Sequence, residues 1–120
     1  MSDGLQLFLT LQETVKQCDE LIDELITIAI AKSSAKERHD KAFAERVLQL
    51  YNDGYPVSIA RDLAKGDSRI ASLRRECEEL EDGSYKRVQE KINLRKREID
   101  ILREQINREY AQETRRSYVE

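Results

Sequence analysis

The most regular pattern of apolar residues lies near the start of the chain. Apolar residues recur there at alternating spacings of three and four positions, as in the seam of a coiled coil. They are Phe8, Leu11, Val15, Cys18, Ile22, Leu25 and Ala29. The pattern weakens over residues 32–36 and resumes at Phe43, so a bend is expected near Ser33. A long amphipathic helix is therefore predicted over about residues 5–51.

A second helical region follows the sole proline of the chain, Pro56, which stands between Gly54 and Gly66. Because proline and glycine are strong helix breakers, we expect a tip with a short helix over about residues 54–66. The next helix is expected over about residues 68–117, with Asp67 or Ser68 as its cap and with an interruption near Gly83 left open. Its expected seam residues are Ile70, Leu73, Cys77, Leu80, Tyr85, Val88, Ile92, Arg95, Ile99, Leu102 and Ile106.

Charge placement indicates how the two long helices pair. A fold back around residue 60 makes position i face roughly position 119 minus i, which puts the acidic residues 76–82 opposite the basic residues 36–41. The basic residues 86–97 then face the acidic residues 19–24. Opposite charges at both places favour antiparallel pairing. The predicted fold class is all-α: one elongated domain over residues 1–120, formed by a long, coiled-coil-like antiparallel helical hairpin with a short helix at its tip.

Composition points to a thin molecule with a narrow core. The chain is 39% hydrophobic and 38% charged, with a net charge of −3, which suits a helical protein that buries one apolar stripe. Further apolar residues outside the expected seams predict an oligomer, with a dimer favoured. They are Leu7, Leu21, Ile26, Ile28, Ile30, Leu94 and Ile101. The near-balanced charge does not by itself indicate nucleic acid as the partner.

The sequence contains no sign of export or membrane insertion. Residues 1–4 lack the basic start of a signal peptide, and the apolar run over residues 25–31 is too short to cross a bilayer. Cys18 and Cys77 have no neighbouring Cys or His that would suggest a metal site, and we expect both to be reduced. A cytoplasmic protein without membrane contact is predicted.

The sequence contains no recognisable catalytic motif. The single histidine, His39, lies in a charged helical stretch without a nucleophile pattern and is interpreted as a solvated residue. Carboxylate pairs such as Asp19 with Asp23 lack the accompanying Glu-x-x-His of a helical metal site. No phosphate-binding glycine loop occurs. We therefore predict no enzyme activity, no catalytic residues, no metal and no cofactor.

The tip is the first candidate for a binding site. A rigid turn that carries an aromatic residue and an arginine is a favoured anchor in protein interfaces. The residues expected to bind a protein partner are Tyr55, Pro56, Val57, Arg61, Asp62, Lys65 and Gly66. In the other interpretation, Tyr55, Val57 and Ile59 fold down to close the end of the hairpin, and Gly66 caps the short helix.

Residues 58–75 support an alternative hypothesis, a DNA-binding regulator. Ile59, Leu63 and Ile70 have nearly the spacing of a helix-turn-helix, although Lys65 stands where that motif places an apolar residue. The residues that would face DNA are Ser68, Arg69, Ser72, Arg74 and Arg75. A turn that packs a short helix over the end of a hairpin explains the same apolar positions.

About half of the chain, residues 48–110, resembles a known group of proteins. The resemblance is carried by Gly54-x-Pro56-Val57-Ser58, Asp62-Leu63-Ala64-Lys65-Gly66-Asp67, Ile70-Ala71-x-Leu73-Arg74, Tyr85-Lys86 and Glu109-Tyr110. The group consists of short helical accessory proteins of tailed phages and prophages of Gram-positive bacteria. It implies a phage protein in the cytoplasm of a bacterial host, with a host or phage protein as partner. Modulation or inhibition of a host or defence enzyme is the activity this suggests.

Overall fold

The computed structural model describes the backbone of residues 2–119 and the side chains of residues 4–113. Four α-helices and one π-helical segment follow each other without a strand among these residues, which confirms the predicted all-α class. The elements are α1 (Ser2–Asn52), α2 (Val57–Lys65), α3 (Ser68–Glu78), the π segment (Glu79–Tyr85) and α4 (Lys86–Val119). The chain forms two compact units, unit 1 from residues 1–24 and 88–120 and unit 2 from residues 25–87.

Helix α1 ends at a turn that glycine makes possible. The Tyr55 N–H donates to the Leu50 carbonyl, and the Gly54 N–H donates to the Tyr51 carbonyl, each at 3.1 Å. This is the Schellman pattern of helix termination. Gly54 has φ of +105°, which residues with a side chain rarely adopt. Pro56, two residues further on, has φ of −57°, suited to the start of α2.

Two residues connect α2 to α3. The Asp67 carboxylate accepts a hydrogen bond from the Arg69 N–H at 2.9 Å, so Asp67 is the N-cap of α3 as expected. Gly66 is the C-cap of α2, but its φ of −82° is an ordinary helical value. The backbone of this connection therefore does not require a glycine.

Pairing within each unit is antiparallel. In unit 1, a Cβ atom placed on Gly4 would lie 3.5 Å from Glu109 Oε2. In unit 2, Lys32 Nζ lies 3.4 Å from Glu81 Oε1 and Arg38 Nη2 lies 3.0 Å from Glu76 Oε1. The expected attraction between residues 36–41 and the acidic residues is present, but Arg38 faces Glu76 rather than Glu81. The register differs because the chain already turns at residues 53–56.

The buried face of α1 in unit 1 differs from the expected one. Thr14 and Cys18 are buried, whereas Phe8 is 49% exposed and Ile22 is 38% exposed. The seam is completed by the half-buried residues Leu7, Leu11 and Leu21. The expected seam is confirmed at Leu11, Val15 and Cys18 and is wrong at Phe8 and Ile22. Apolar residues lie on both sides of Leu11 and Cys18, so their spacing alone does not decide which side is buried. The buried Thr14 hydroxyl donates to the Thr10 carbonyl at 2.8 Å.

In unit 2, α1 continues through Ser33 without interruption. Its seam there is built from alanines and basic residues, which explains why the apolar pattern weakens. Ala35 is 1% exposed and Ala42 is 8% exposed. Lys32, His39 and Arg46 follow each other at seven-residue spacing, and all three are half-buried. Long basic side chains can cover apolar surface with their stems while the charged ends reach the edge.

Each of these basic residues has a specific neighbour. Lys32 Nζ lies 4.9 Å from the centre of the Tyr85 ring, in addition to its contact with Glu81. Arg46 Nε lies 3.3 Å from Asp67 Oδ2, close enough for an ion pair but without hydrogen-bond geometry.

His39 is packed rather than solvated, contrary to the sequence interpretation. Its ring stacks on Phe43 with 6.2 Å between centroids, and Nδ1 lies 3.1 Å from Asp40 Oδ1. The other ring nitrogen, Nε2, is buried without a hydrogen-bond partner. The prediction of a solvated helix residue was therefore wrong.

The predicted seam of α4 is confirmed. Val88, Ile92 and Ile99 are buried, and Arg95, Leu102 and Ile106 are half-buried.

The π segment accommodates one extra residue between α3 and α4. Heptad spacing from Cys77 and Leu80 would bring Arg87 and Lys91 onto the buried face, whereas the buried residues are Val88 and Ile92. A π-helix has more residues per turn than an α-helix and absorbs a one-residue insertion without breaking. The helix therefore continues through Gly83, where an added Cβ would meet nothing within 4 Å.

Deletion of Gly83 is expected to convert the π segment to α-helix and to leave the thermal midpoint unchanged or higher. It brings Cys77, Tyr85, Ile92 and Ile99 to an unbroken seven-residue spacing. Deletion of Arg97, an exposed residue within α4, is the control and should lower the midpoint, because it displaces Ile99 from the buried face. Circular dichroism melts compare the two variants. Equal losses from both deletions would contradict this account.

Candidate functional site

An apolar groove lies at the tip of unit 2, between the end of α1 and α2. Its volume is about 400 Å³. The lining residues are Phe43, Ala44, Val47, Leu48, Tyr51, Val57 and Arg61. Arg61 contributes the one charged side chain to this lining. A groove of this size with a mainly apolar wall can hold a few side chains of a partner.

The groove exists because α2 packs on α1 through alanines. Ala60 and Ala64 are fully buried and form a cluster with Leu50, against which Phe43 and Val47 also pack. Alanines one helical turn apart allow two helix backbones to approach closely. The larger apolar residues of α2 are therefore left at its sides.

Those larger residues are about half exposed. Val57 is 52% exposed on the groove side, while Ile59 and Leu63 are each 47% exposed. Tyr55 is also 44% exposed. The interpretation in which Tyr55, Val57 and Ile59 close the end of the hairpin is therefore wrong, because Ala60 and Ala64 take that role.

The structure brings part of the predicted partner site to the groove. Val57 and Arg61 line it. The remaining residues predicted for this site are exposed at the tip: Tyr55, Pro56, Asp62, Lys65 and Gly66. Sequence reasoning missed the α1 wall of the groove, of which Leu48 and Tyr51 are 60% and 55% exposed. Their three-residue spacing outside the seam was the available signal.

The electrostatic character of α2 is basic beside the groove. Arg61 and Lys65 are one helical turn apart, and both are exposed. Cations at this spacing present two donors along one edge of a helix. The backbone carbonyl of Lys65 already accepts a hydrogen bond, which Arg74 Nη2 donates at 3.4 Å.

The residues of the DNA-binding hypothesis lie on α3, and all but Arg74 are exposed on one side of this helix. Ser68, Arg69, Ser72 and Arg75 are exposed. Arg74 is half-buried and is directed towards the end of α2 by its contact with the Lys65 carbonyl.

The cysteines are free thiols, as expected. Burial raises the pKa of Cys77, and the nearby Glu76 and Asp40 carboxylates raise it further. A thiol with a raised pKa is mostly protonated near neutral pH and is a weak nucleophile. Among the described side chains, no group of three or more His, Cys, Asp or Glu is placed to hold a metal ion.

No helix within the described part of the chain is long and apolar enough to cross a membrane. Comparison with protein-family models, curated proteins and solved structures finds no match for this chain. The resemblance to phage accessory proteins therefore remains a prediction.

Substitution of Ala64 by leucine is expected to lower the free energy of unfolding by about 1–3 kcal/mol, because a larger side chain cannot fit between α2 and α1. The same change at the exposed Ala31 is the control and should alter stability by less than about 0.5 kcal/mol. Urea titrations followed by circular dichroism measure both. An equal response at the two positions would show that α2 does not pack closely.

Proposed function

We propose that this chain is a non-catalytic protein-binding module that self-associates and binds a protein partner at its tip. The observation that supports this proposal is the distribution of large apolar side chains. Fifteen of them are exposed among the described residues, whereas four of the ten buried hydrophobic residues are alanines. Exposed apolar surface on this scale is typical of proteins whose surface is covered by another molecule.

The tip combines the features that favour a binding site. Its groove offers apolar anchor surface beside the Arg61 guanidinium, and aromatic and arginine residues are over-represented among the residues that dominate binding energy. The turn at residues 53–56 is held by backbone hydrogen bonds. A rigid surface of this kind loses little conformational entropy on binding.

The chemistry of the site suggests binding rather than catalysis. The groove lining is apolar apart from Arg61, and among the described side chains no group of three or more His, Cys, Asp or Glu is placed to hold a metal ion. The partner we propose is a bacterial host or phage protein, in line with the resemblance of the tip to phage accessory proteins. Modulation or inhibition of a host or defence enzyme is the form of activity proposed.

Substitution of both Arg61 and Lys65 by alanine is expected to weaken partner capture at least tenfold while the thermal midpoint changes by less than about 2 °C. The partner is identified by affinity capture from bacterial lysate and mass spectrometry, and its affinity is then measured with the purified proteins. Substitution of Arg87 and Lys91, an exposed basic pair at the same spacing on α4, is the matched control. Full binding by the tip variant would move the site to the helix faces.

A DNA-binding regulator is the second candidate, favoured by the exposed Ser68, Arg69, Ser72 and Arg75 on α3. The acidic residues of this region, including Asp67 and Glu76, weaken it. We expect no mobility shift of duplex DNA at physiological salt. A shift that weakens steeply with salt and is lost in the variant Arg69→Ala/Arg75→Ala would instead support DNA binding.

A further inference from the structure

One face of α1 in unit 2 carries a row of exposed residues directed away from the alanine seam. They are Ile26, Ile30, Ser33, Glu37, Lys41, Ala44, Leu48 and Tyr51, and all are exposed. Their spacings of three and four positions keep them on one side of the helix. Residues two positions apart, such as Ala42 and Ala44, point about 200° apart, so the row lies opposite the buried alanines.

The chemical order of the row is the same from both ends. Two large apolar residues come first, then a small residue, then a charged residue, and the two central charges have opposite signs. We propose that this face binds a second copy of the same chain, antiparallel, about a two-fold axis that passes midway between Glu37 and Lys41. The inference rests on the proposed self-association and names the surface responsible.

Antiparallel pairing matches each position with a suitable neighbour. Ile30 meets Leu48 of the second copy, and Ile26 meets Tyr51 of the second copy. Ile30 is 66% exposed and Ile26 is 53% exposed, while Leu48 and Tyr51 are 60% and 55% exposed. Two-fold symmetry forms every such contact twice.

The central residues of the row favour antiparallel pairing over parallel pairing. Ser33 meets Ala44 of the second copy, and two small residues allow the helices to approach. Glu37 meets Lys41 of the second copy, and the reciprocal pair forms across the axis. Parallel pairing in register would instead place Glu37 against Glu37 and Lys41 against Lys41, which is unfavourable. Charge complementarity therefore favours the antiparallel second copy.

The proposed dimer surface shares residues with the tip groove. Ala44, Leu48 and Tyr51 belong both to the row and to the α1 wall of the groove. Ile30 of the second copy would lie against this wall, whereas Arg61 and Val57 belong to the α2 wall. Self-association would thus add Ile30 of the second copy to the groove, and it would not involve the basic residues of α2, Arg61 and Lys65.

Cysteine cross-linking tests the arrangement in a Cys18→Ser/Cys77→Ser background. The double variant Ile30→Cys/Leu48→Cys should form a covalent dimer under mild oxidation, visible on a non-reducing gel. Each single variant should remain uncrosslinked. The two positions lie about 27 Å apart along one helix, too far for a bond within one chain, since a disulfide needs Cα atoms within about 7 Å.

A charge exchange provides an independent readout by analytical ultracentrifugation. Glu37→Lys should weaken the dimer about fivefold, and Glu37→Lys/Lys41→Glu should restore the original affinity within about twofold. A failure of the double variant to restore affinity would count against the pairing.

The outcomes separate this inference from the proposed function. A dimer by light scattering without cross-linking of the double variant, or with cross-linking of Leu48→Cys alone, overturns the arrangement and leaves self-association standing. A monomer at 100 micromolar overturns both. Cross-linking of the double variant alone, together with recovery on charge exchange, supports the inference.

Discussion

The close approach of helices through alanine is the constraint on which unit 2 depends. Ala35 and Ala42 line α1, and Ala60 and Ala64 line α2, each no more than 8% exposed. Because these side chains are small, the backbones come together and larger apolar residues cannot fit between them. Those residues remain outside, on α2 and on the far face of α1. The packing that closes the tip therefore also produces the apolar surface available to a partner.

Charge determines register more than stability in this unit. Lys32 and Arg38 reach Glu81 and Glu76 across the seam, and all four side chains are partly exposed. Exposed ion pairs of this kind contribute about 0–1 kcal/mol each, so apolar burial has to provide most of the stability. These ion pairs specify the register, because opposite charges meet in only one alignment of the two helices. In the proposed dimer, opposite charges specify the alignment in the same way on the opposite face of α1.

The surface of the chain offers binding more readily than chemistry. The groove has apolar walls beside Arg61, and the pKa of the Cys77 thiol is raised rather than lowered. Reactive cysteines show the opposite shift, since nearby positive charge stabilises the thiolate. A rigid turn at Gly54 and a helix pair held by alanines provide a stable platform for recognition. This combination supports interaction as the proposed role.

Local features of the sequence determined the helix boundaries, the Asp67 cap and the buried face of α4, because each depends on residues adjacent in the chain. The buried face of α1 was decided only by tertiary structure. Two alternative seams of α1, one starting at Leu7 and one at Phe8, both have spacings of three and four residues. The packing of α4 decides which of them is buried. Lys32 and Arg46 enter the seam where carboxylates, Glu81 and Asp67, lie across it. The groove likewise depends on how α2 packs, and periodicity along one helix contains no information about the distance to another.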